Sequence, residues 1–293
     1  MVTILGEGAW GHALASLLEE NKKEYVFWDR KSPIDSKSMV IIAVPTQAIR
    51  EVLTKNKSYL KNATIINTAK GVEKDTNRLP FEIAKEILGN NIKYSALLGA
   101  SFASEVELKM PTLVNLCCLE DGETICPIVR AYFQTDYFRV RLTESVQAIE
   151  LAGALKNIYA IACGIAQGLG FGENTRAQMV ALAYEETISL CRALKYKVVD
   201  KAVEGIMGDL VLTCGGISSR NFRFGKLIAK LKVSDGLKQI GSTVEGYNNV
   251  FSVPFFKKKS GFDLKLADFV YQTVLENSPE KIEKRFRELI KRT

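Results

Sequence analysis

The sequence predicts an α/β domain over residues 1–143 and an all-helical domain over residues 144–293. Short apolar runs alternate with stretches of helical periodicity through the first half, which indicates crossover units and a largely parallel sheet. From Glu144 onward the pattern changes to long helices. A chain of 293 residues is long enough for one or two domains, each with a real core.

The predicted elements follow from these patterns. The strands are Val2–Leu5, Tyr25–Trp28, Met39–Val44, Thr64–Asn67, Ala96–Gly99, Thr112–Leu116 and Tyr137–Val140. The long helices of the second half are Val146–Leu169, Asn174–Leu194, Asp263–Glu276 and Pro279–Lys291.

A GxGxxG motif follows the first predicted strand. In Gly6-Glu7-Gly8-Ala9-Trp10-Gly11, the first glycine allows a tight turn, the second lets the backbone approach a pyrophosphate, and the third lets helix and strand pack closely. The amides and positive dipole at the start of the next helix favour phosphate. Glycines also mark ordinary turns, but the strand, helix and second strand around this motif favour a dinucleotide site.

The second strand ends at Trp28-Asp29-Arg30. An acidic side chain at this place binds the adenosine ribose hydroxyls and favours NAD, whereas an arginine accommodates the 2′-phosphate of NADP. Because both are present, these residues leave the choice of cofactor open. The alternative is a solvated Asp–Arg pair at a strand end.

Three segments follow predicted strands and should lie at the carboxyl edge of the sheet, where open α/β sheets bind ligands. They are Ala43–Thr46, Asn67–Glu73 and Gly99–Ala103. Lys70 precedes a glycine in the second segment, so it is placed to reach an anionic substrate or the nicotinamide end of a cofactor. The alternative is an exposed loop lysine.

The helix predicted over Val146–Leu169 is apolar almost all the way round, which is typical of a buried helix. Lys156 interrupts it, and a buried lysine is costly unless its charge is paired or used. The alternative is that Lys156 extends to solvent. One stripe of the helix is polar or small, so it can border a cavity or let another backbone approach; it consists of Glu150, Gly153, Asn157 and Gly164.

A polar group follows in the helical half. Arg220, with Ser219 and Asn221 beside it, suits a phosphate because a guanidinium is planar, always charged and able to bind two oxygens at once. The alternative is a turn whose serine and asparagine cap a helix. Asp209 follows a glycine in an apolar setting, where it is either a cap or a partner for a buried lysine.

The composition narrows the class of protein. Hydrophobic content of 47% and charged content of 25% are those of an ordinary soluble globular protein. His12 is the sole histidine, which argues against a zinc site, and we expect no metal. The six cysteines show neither metal nor disulfide spacing, so we expect them to be reduced core residues.

The net charge of +7 is compatible with nucleic acid, an acidic membrane surface or a phosphorylated small molecule. No nucleic-acid fold motif or aromatic–basic pattern occurs, so we expect a small molecule and no nucleic acid as partner. No apolar run reaches the length of a membrane span and no leader precedes the first strand, so we expect a cytoplasmic protein without an integral membrane segment.

Several motifs in one order make the chain similar to the bacterial type of NAD(P)-dependent glycerol-3-phosphate dehydrogenase. The resemblance covers nearly the whole chain and depends on GEGAWG, NTAKGVE, GASFASE, GALKNIYAIACGIAQGLGFGENT, GDLVLTC, SSRNFRFG and Val244-Glu245-Gly246. It implies a Rossmann domain followed by a helical substrate domain, often in a homodimer. Two features depart from the family: Ala100 replaces a proline, and only Lys31–Ser38 separates the second strand from the third.

The resemblance also implies the site residues, with Lys156 similar to the catalytic lysine of the family. The implied substrate contacts are Lys70, Gly99, Ser101, Lys156, Asn157, Asp209, Thr213, Ser219, Arg220 and Asn221. The implied cofactor contacts are Gly6, Gly8, Ala9, Trp10, Gly11, Arg30, Lys70, Ala103, Arg220 and Glu245.

The implied reaction is the reversible oxidation of sn-glycerol 3-phosphate to dihydroxyacetone phosphate with NAD or NADP, feeding glycerophospholipid synthesis. One alternative is a dehydrogenase of another small hydroxy acid, which would not need Arg220 and Asn221 as a phosphate clamp. Another is a non-catalytic dinucleotide-binding regulator, which would have no reason to bury Lys156 near Asp209.

Overall fold

The computed structural model describes residues 1–32, 34, 39–119, 125–216 and 218–292. The chain forms two compact units. The first consists of the described residues of 1–73, 78–150 and 197–205. The second consists of the described residues of 74–77 and 151–196 and those from Ile206 onward.

Strands and helices mostly alternate along the first unit, and each of the seven predicted apolar runs overlaps a strand. The strands are β1 (Val2–Leu5), β2 (Tyr25–Phe27), β3 (Met39–Ile42), β4 (Thr64–Asn67), β5 (Lys93–Gly99), β6 (Thr112–Cys118) and β7 (Phe138–Thr143). The helices between them are α1 (Ala9–Glu20), α2 (Thr46–Lys55), α3 (Pro80–Leu88), α4 (Ala103–Glu107) and α5 (Ile125–Phe133).

The described strands form one sheet in the order β2-β1-β3-β4-β5-β6-β7. Neighbouring strands are parallel except for β5 and β6, which are antiparallel. The largely parallel α/β architecture expected from the sequence is therefore confirmed. Strand β2 lies on one side of β1, and β3, the next strand along the chain, lies on the other side. The strand order therefore reverses at β1, and open α/β sheets bind ligands at such a switch point.

One face of this sheet is covered by α1 and α5. Leu14 and Leu17 of α1 and Phe133 of α5 are fully buried against Val114 of β6 and Phe138 of β7. Burying one such side chain contributes about 1.5–3 kcal/mol, so this cluster is a main source of stability for the unit. It also fixes the N-terminus of α1 relative to the end of β1.

Strand β2 lies at the edge of the described sheet, paired with β1 alone. Of Lys31–Ser38, residues 31, 32 and 34 are described and the others lie outside the described residues. Val26, in the middle of β2, is exposed, as is usual for an edge strand.

The apolar helix α6 (Val146–Gly168) begins in the first unit and continues into the second. By length and composition it is apolar enough to cross a membrane, with a mean hydropathy of 1.3 over 18 residues, so the expectation that no run reaches this length was wrong. The whole of that window is buried inside the protein. A helix that is apolar on all sides and buried in this way has the profile of a core helix.

The rest of the second unit is helical, as expected. Its elements are α7 (Glu173–Ala193), α8 (Asp200–Cys214, whose first residues belong to the first unit), α9 (Arg220–Ile228), α10 (Val233–Ile240), α11 (Glu245–Asn249), α12 (Val253–Ser260), α13 (Lys265–Glu276) and α14 (Pro279–Arg292).

Glycines let α9 pack against α6 with the two backbones in contact. A Cβ on Gly164 of α6 would collide with the carbonyl oxygen of Phe222, and a Cβ on Gly225 of α9 would collide with that of Ile161. The stripe of small residues predicted along α6 therefore does let another backbone approach.

Cys118 at the end of β6 and Cys126 in α5 form a disulfide, with their Cα atoms 6.3 Å apart. The expectation that all six cysteines are reduced was therefore wrong. A Cα separation of this size permits a disulfide, and the spacing of the cysteines along the chain does not reveal it. The other four cysteines are free and buried.

Candidate active site

The GxGxxG motif forms the turn from β1 into α1, and its glycines are required for different reasons. Gly6 has a φ of +122°, and a Cβ there would lie 2.7 Å from the carbonyl oxygen of Ala43. A Cβ on Gly11 would collide with the carbonyl oxygen of Gly6. Gly8, the N-cap of α1, has open space where its Cβ would be. Packing within the protein therefore accounts for Gly6 and Gly11, whereas the space above Gly8 fits a phosphate group at a helix N-terminus.

Asp29 is bound by its own turn after β2. Its Oδ1 accepts hydrogen bonds of 2.8 Å from the amides of Ser32 and Lys31, and its Oδ2 accepts one of 3.0 Å from the Ser32 hydroxyl. These bonds hold the pKa of Asp29 below its usual value. Arg30 is exposed, with a left-handed φ of +66°, and its carbonyl oxygen accepts a 2.8 Å bond from Lys55 Nζ. The carboxylate thus supports the turn that presents the arginine.

Lys70, Gly99 and Ser101 meet at the carboxyl ends of β4 and β5. Lys70 Nζ donates to the Gly99 carbonyl oxygen at 2.8 Å, and the Ser101 hydroxyl donates to the same oxygen at 3.3 Å. Ala103 follows as the first residue of α4. The structure therefore brings together the substrate contacts that were implied for the first unit.

Lys156 is buried in the second unit and its charge is paired. Its Nζ donates to Asp209 Oδ1 at 2.5 Å and to Thr213 Oγ1 at 2.8 Å. Asp209 and Thr213 lie one turn apart on α8, so both side chains lie on one face of that helix. The Lys156 side chain is 10% exposed, which excludes the alternative of a lysine extending to solvent. An ammonium group has three donors, and these two bonds leave one for a substrate oxygen.

Asn157, Asn221 and Glu245 form a second hydrogen-bonded group in this unit. Asn157 Oδ1 accepts from Asn221 Nδ2 at 2.8 Å, and Asn157 Nδ2 donates to Glu245 Oε2 at 3.0 Å. Asn221 Oδ1 accepts from the amide of Gly246 at 2.9 Å. A Cβ on Gly246 would collide with the carbonyl oxygen of Asn157, so α11 packs directly on α6. Both side-chain amides therefore position the N-terminus of α11.

Ser219 and Arg220 begin α9. Ser219 is its N-cap, and its hydroxyl accepts a 3.2 Å hydrogen bond from the amide of Phe222. This is the capping role that the sequence offered as the alternative for this segment. Arg220 is the first helical residue and is exposed. A cation beside the positive end of a helix is favourable only when an anion binds there, so this arrangement suits a phosphate.

Among the described residues, no group of three or more His, Cys, Asp or Glu side chains could hold a metal ion. Glu150 and Glu186 are buried, and the sequence assigned neither of them a role in the site. Glu186 accepts a 2.5 Å bond from the amide of Leu266 at the start of α13. Burial raises the pKa of Glu186 to about 7. No sequence pattern distinguishes Glu186 from its exposed neighbour Glu185, because the difference depends on what packs against the helix.

Two family models together match most of the chain. The model described as NAD-dependent glycerol-3-phosphate dehydrogenase N-terminus matches residues 1–37 and 31–123. The corresponding C-terminus model matches residues 145–283.

Individual relatives show the same similarity. A glycerol-3-phosphate dehydrogenase, NAD(P)+, of Citrifermentans bemidjiense is 34% identical over 94% of this chain and 93% of its own length. One of a Geobacter species is 33% identical over 96% and 94%. The crystal structure of a glycerol-3-phosphate dehydrogenase from Coxiella burnetii superposes with a TM-score of 0.87 at 26% identity, covering 99% of this chain and 98% of the other.

Proposed function

The chain belongs to the NAD-dependent glycerol-3-phosphate dehydrogenase family, and from this premise we propose that it interconverts dihydroxyacetone phosphate and sn-glycerol 3-phosphate with NAD(P). The observation that carries the proposal is the buried Lys156, held by Asp209 and Thr213 with a donor left for a substrate oxygen. The product of the reduction is the precursor of glycerophospholipids, so we propose that role in the cell.

The residues of the first unit fit a dinucleotide. The space above Gly8 accepts the pyrophosphate, and the adjoining Ala9 and Trp10 begin the helix whose amides face it. Arg30 is proposed to contact the adenosine end. When bound, the cofactor supplies the hydride for the carbonyl carbon of the substrate. Further cofactor contacts are proposed at Gly6, Gly11, Lys70, Ala103, Arg220 and Glu245.

Lys156 is proposed to serve as the general acid and base. During reduction, negative charge develops on the carbonyl oxygen of the substrate, and the ammonium both stabilises that charge and donates a proton to the oxygen. During oxidation the neutral amine takes the proton back. Asp209 and Thr213 hold Nζ in place, and their paired arrangement offsets the cost of burying the ammonium.

The substrate phosphate is proposed to bind at the start of α9. Arg220 supplies the charge-assisted contact, and the helix amides supply the dipole. Ser219 and Asn221 each accept a hydrogen bond within the protein, from the amide of Phe222 and the amide of Gly246 respectively. They are therefore proposed to hold the start of α9 in place as well as to contact the ligand. Binding energy from the phosphate end orients the reacting carbonyl. The other substrate contacts proposed are Lys70, Gly99, Ser101, Asn157, Asp209 and Thr213.

We further propose residues 1–143 as the dinucleotide-binding domain and residues 144–293 as the substrate-binding domain, a division supported by the ranges of the two family models. A homodimer in the cytoplasm is proposed by analogy with the family.

The test is oxidation of NADH and NADPH with dihydroxyacetone phosphate, compared with unphosphorylated dihydroxyacetone. We expect turnover with the phosphorylated substrate and much weaker turnover without the phosphate. Turnover of small oxo acids alone would favour the other hydroxy-acid dehydrogenases. Dinucleotide binding without any turnover would favour a regulator.

A further inference from the structure

Glu150 of α6 is fully buried in the first unit, where it joins three elements of the α/β core. Its Oε1 accepts from Asn67 Nδ2 of β4 at 2.9 Å and from the Tyr94 hydroxyl of β5. Its Oε2 accepts from the amide of Phe81 at the start of α3 at 2.9 Å. All three partners are neutral donors, so the carboxylate acts as their common acceptor.

Asn67 links Glu150 by hydrogen bonds to the loop that carries Lys70. Besides binding Glu150, its side-chain Oδ1 accepts from the amide of Ala69 at 2.9 Å, and its Nδ2 also donates to the carbonyl oxygen of Ala69 at 3.1 Å. The next residue is Lys70, whose Nζ binds the Gly99 carbonyl oxygen. A chain of hydrogen bonds therefore runs from Glu150 through Asn67 to the backbone immediately before Lys70.

We propose that Glu150 is a positioning residue that orders the Lys70 loop through Asn67, and that the ionised carboxylate orders it better than the neutral acid. The first part requires only the geometry above. The second follows because a carboxylate accepts from all three donors, whereas a protonated acid turns one of its oxygens into a donor. The effect on substrate binding rests on the function proposed for this protein.

The surroundings of Glu150 place its pKa near neutrality. Burial raises its pKa from 4.5 to about 7, against the lowering effect of its hydrogen bonds from Tyr94, Phe81 and Asn67. Glu82 on α3 adds a smaller raising contribution. The other titratable neighbours, Tyr94 and Cys117, are buried and have pKa values raised far above neutrality, so they remain uncharged. Glu150 is therefore the group among these that changes charge between mildly acidic and mildly basic pH.

The experiment uses Glu150→Gln, because glutamine has the shape of the acid and, like its protonated form, presents one carbonyl acceptor and one donor group. At about pH 8 the variant should raise the KM for dihydroxyacetone phosphate about 10-fold, the scale of one hydrogen bond to a charged group, with little change in kcat. At about pH 6 the wild-type acid is itself largely protonated, so the ratio of the two KM values should approach one. Using this ratio cancels the titration of the substrate phosphate, which has a pKa of about 6.

Glu186→Gln is the matched control. Glu186 is also buried, also has a pKa raised to about 7 and also accepts from a tyrosine and backbone amides, but it caps α13 in the other unit. Its KM ratio to wild type should stay near one at both pH values. A Glu150→Gln ratio that is the same at both pH values, or that Glu186→Gln reproduces, would overturn the proposal.

Hydrogen exchange in the ligand-free protein tests the same proposal without activity. After correction for the intrinsic pH dependence of exchange, the amide of Ala69 should be better protected at about pH 8 than at about pH 6 in the wild type, and poorly protected at both in Glu150→Gln. Equal protection in the two proteins at the higher pH would refute the positioning role. A wild type that shows this protection pattern but no turnover would instead refute the proposed function alone.

Discussion

At the scale of single residues, the proposed chemistry depends on a buried lysine whose charge is paired but which keeps one hydrogen-bond donor. Lys156 binds Asp209 and Thr213 and retains a third donor. A lysine that serves only as a structural ion pair does not use that donor. Measuring turnover and thermal stability of the same variant therefore separates a catalytic role of Lys156 from a structural one.

Replacing Lys156 with alanine should lower kcat at least ~100-fold, the low end of general acid–base catalysis, because it removes the proposed proton donor to the substrate oxygen. Cofactor binding, followed by fluorescence titration, should persist. Since the change leaves Asp209 buried without its cation, thermal stability is measured in parallel. Lys226→Ala, at an exposed position of α9, is the control. Near-normal turnover by folded Lys156→Ala would show that this lysine serves only the structure.

Arg220→Ala should raise the KM for dihydroxyacetone phosphate by roughly 10- to 150-fold, the cost of about 1.5–3 kcal/mol for a lost charge-assisted contact. The KM for unphosphorylated dihydroxyacetone should change little. Arg223→Ala removes an exposed arginine one turn later on α9 and should affect neither substrate. Equal losses for both substrates with Arg220→Ala would assign this arginine to the cofactor.

Arg30→Ala should weaken NADPH more than NADH, whereas Asp29→Ala should leave their ratio almost unchanged. The reason is that the Asp29 carboxylate is already bound by the amides of Lys31 and Ser32, while the Arg30 side chain is exposed. The measurement is kcat/KM for both cofactors in the wild type and the two variants. A large gain in NADPH use on Asp29→Ala would identify an NAD enzyme selected by its acid.

At the scale of elements, the turn from β1 into α1 separates residues required by packing from a residue required by a ligand. Gly6 and Gly11 are confined by neighbouring backbone, whereas Gly8 has open space above it. The three glycines of one motif are thus expected to respond differently to the same substitution.

Gly8→Ala should leave the melting temperature close to that of the wild type but weaken dinucleotide binding, because its methyl group occupies space that the pyrophosphate needs. Gly11→Ala should destabilise the protein, because its methyl group collides with the carbonyl oxygen of Gly6. Thermal melts and cofactor titrations of both variants check this. Unimpaired cofactor binding by Gly8→Ala would place the pyrophosphate elsewhere.

At the scale of the whole molecule, the buried glutamates make stability depend on pH. Burial raises the pKa of Glu186 from 4.5 to about 7. Between these values the folded protein keeps a proton that the unfolded chain has lost, so the free energy of unfolding falls as pH rises through this window and then levels off. The contribution is about 1.4 kcal/mol for each pKa unit.

Glu186→Gln should remove the Glu186 contribution to this slope while Glu150 keeps its own, so the melting temperature of the variant relative to the wild type should rise between about pH 5 and pH 7. Glu185→Gln is the control, because the neighbouring glutamate is exposed and should leave the slope unchanged. If the difference in melting temperature between Glu186→Gln and the wild type stays constant across this pH range, Glu186 is ionised throughout it.

The sequence by itself determined the alternation of seven strands with helices, the glycine turn before α1 and the long apolar helix α6. These features are local: periodicity and turn-forming residues act over a few positions, so the chain records them directly. The motifs in their fixed order likewise indicate the family without any tertiary geometry.

The tertiary structure alone decided which polar groups meet. It joined Lys156 to Asp209, bound Glu150 to Asn67 and paired Cys118 with Cys126. Whether a side chain is buried or paired depends on contacts with elements that are distant in sequence, and no local pattern reveals those contacts. The same physical reason separates buried Glu186 from exposed Glu185: adjacent positions on a helix point in different directions, and only the packing around them decides which one loses water.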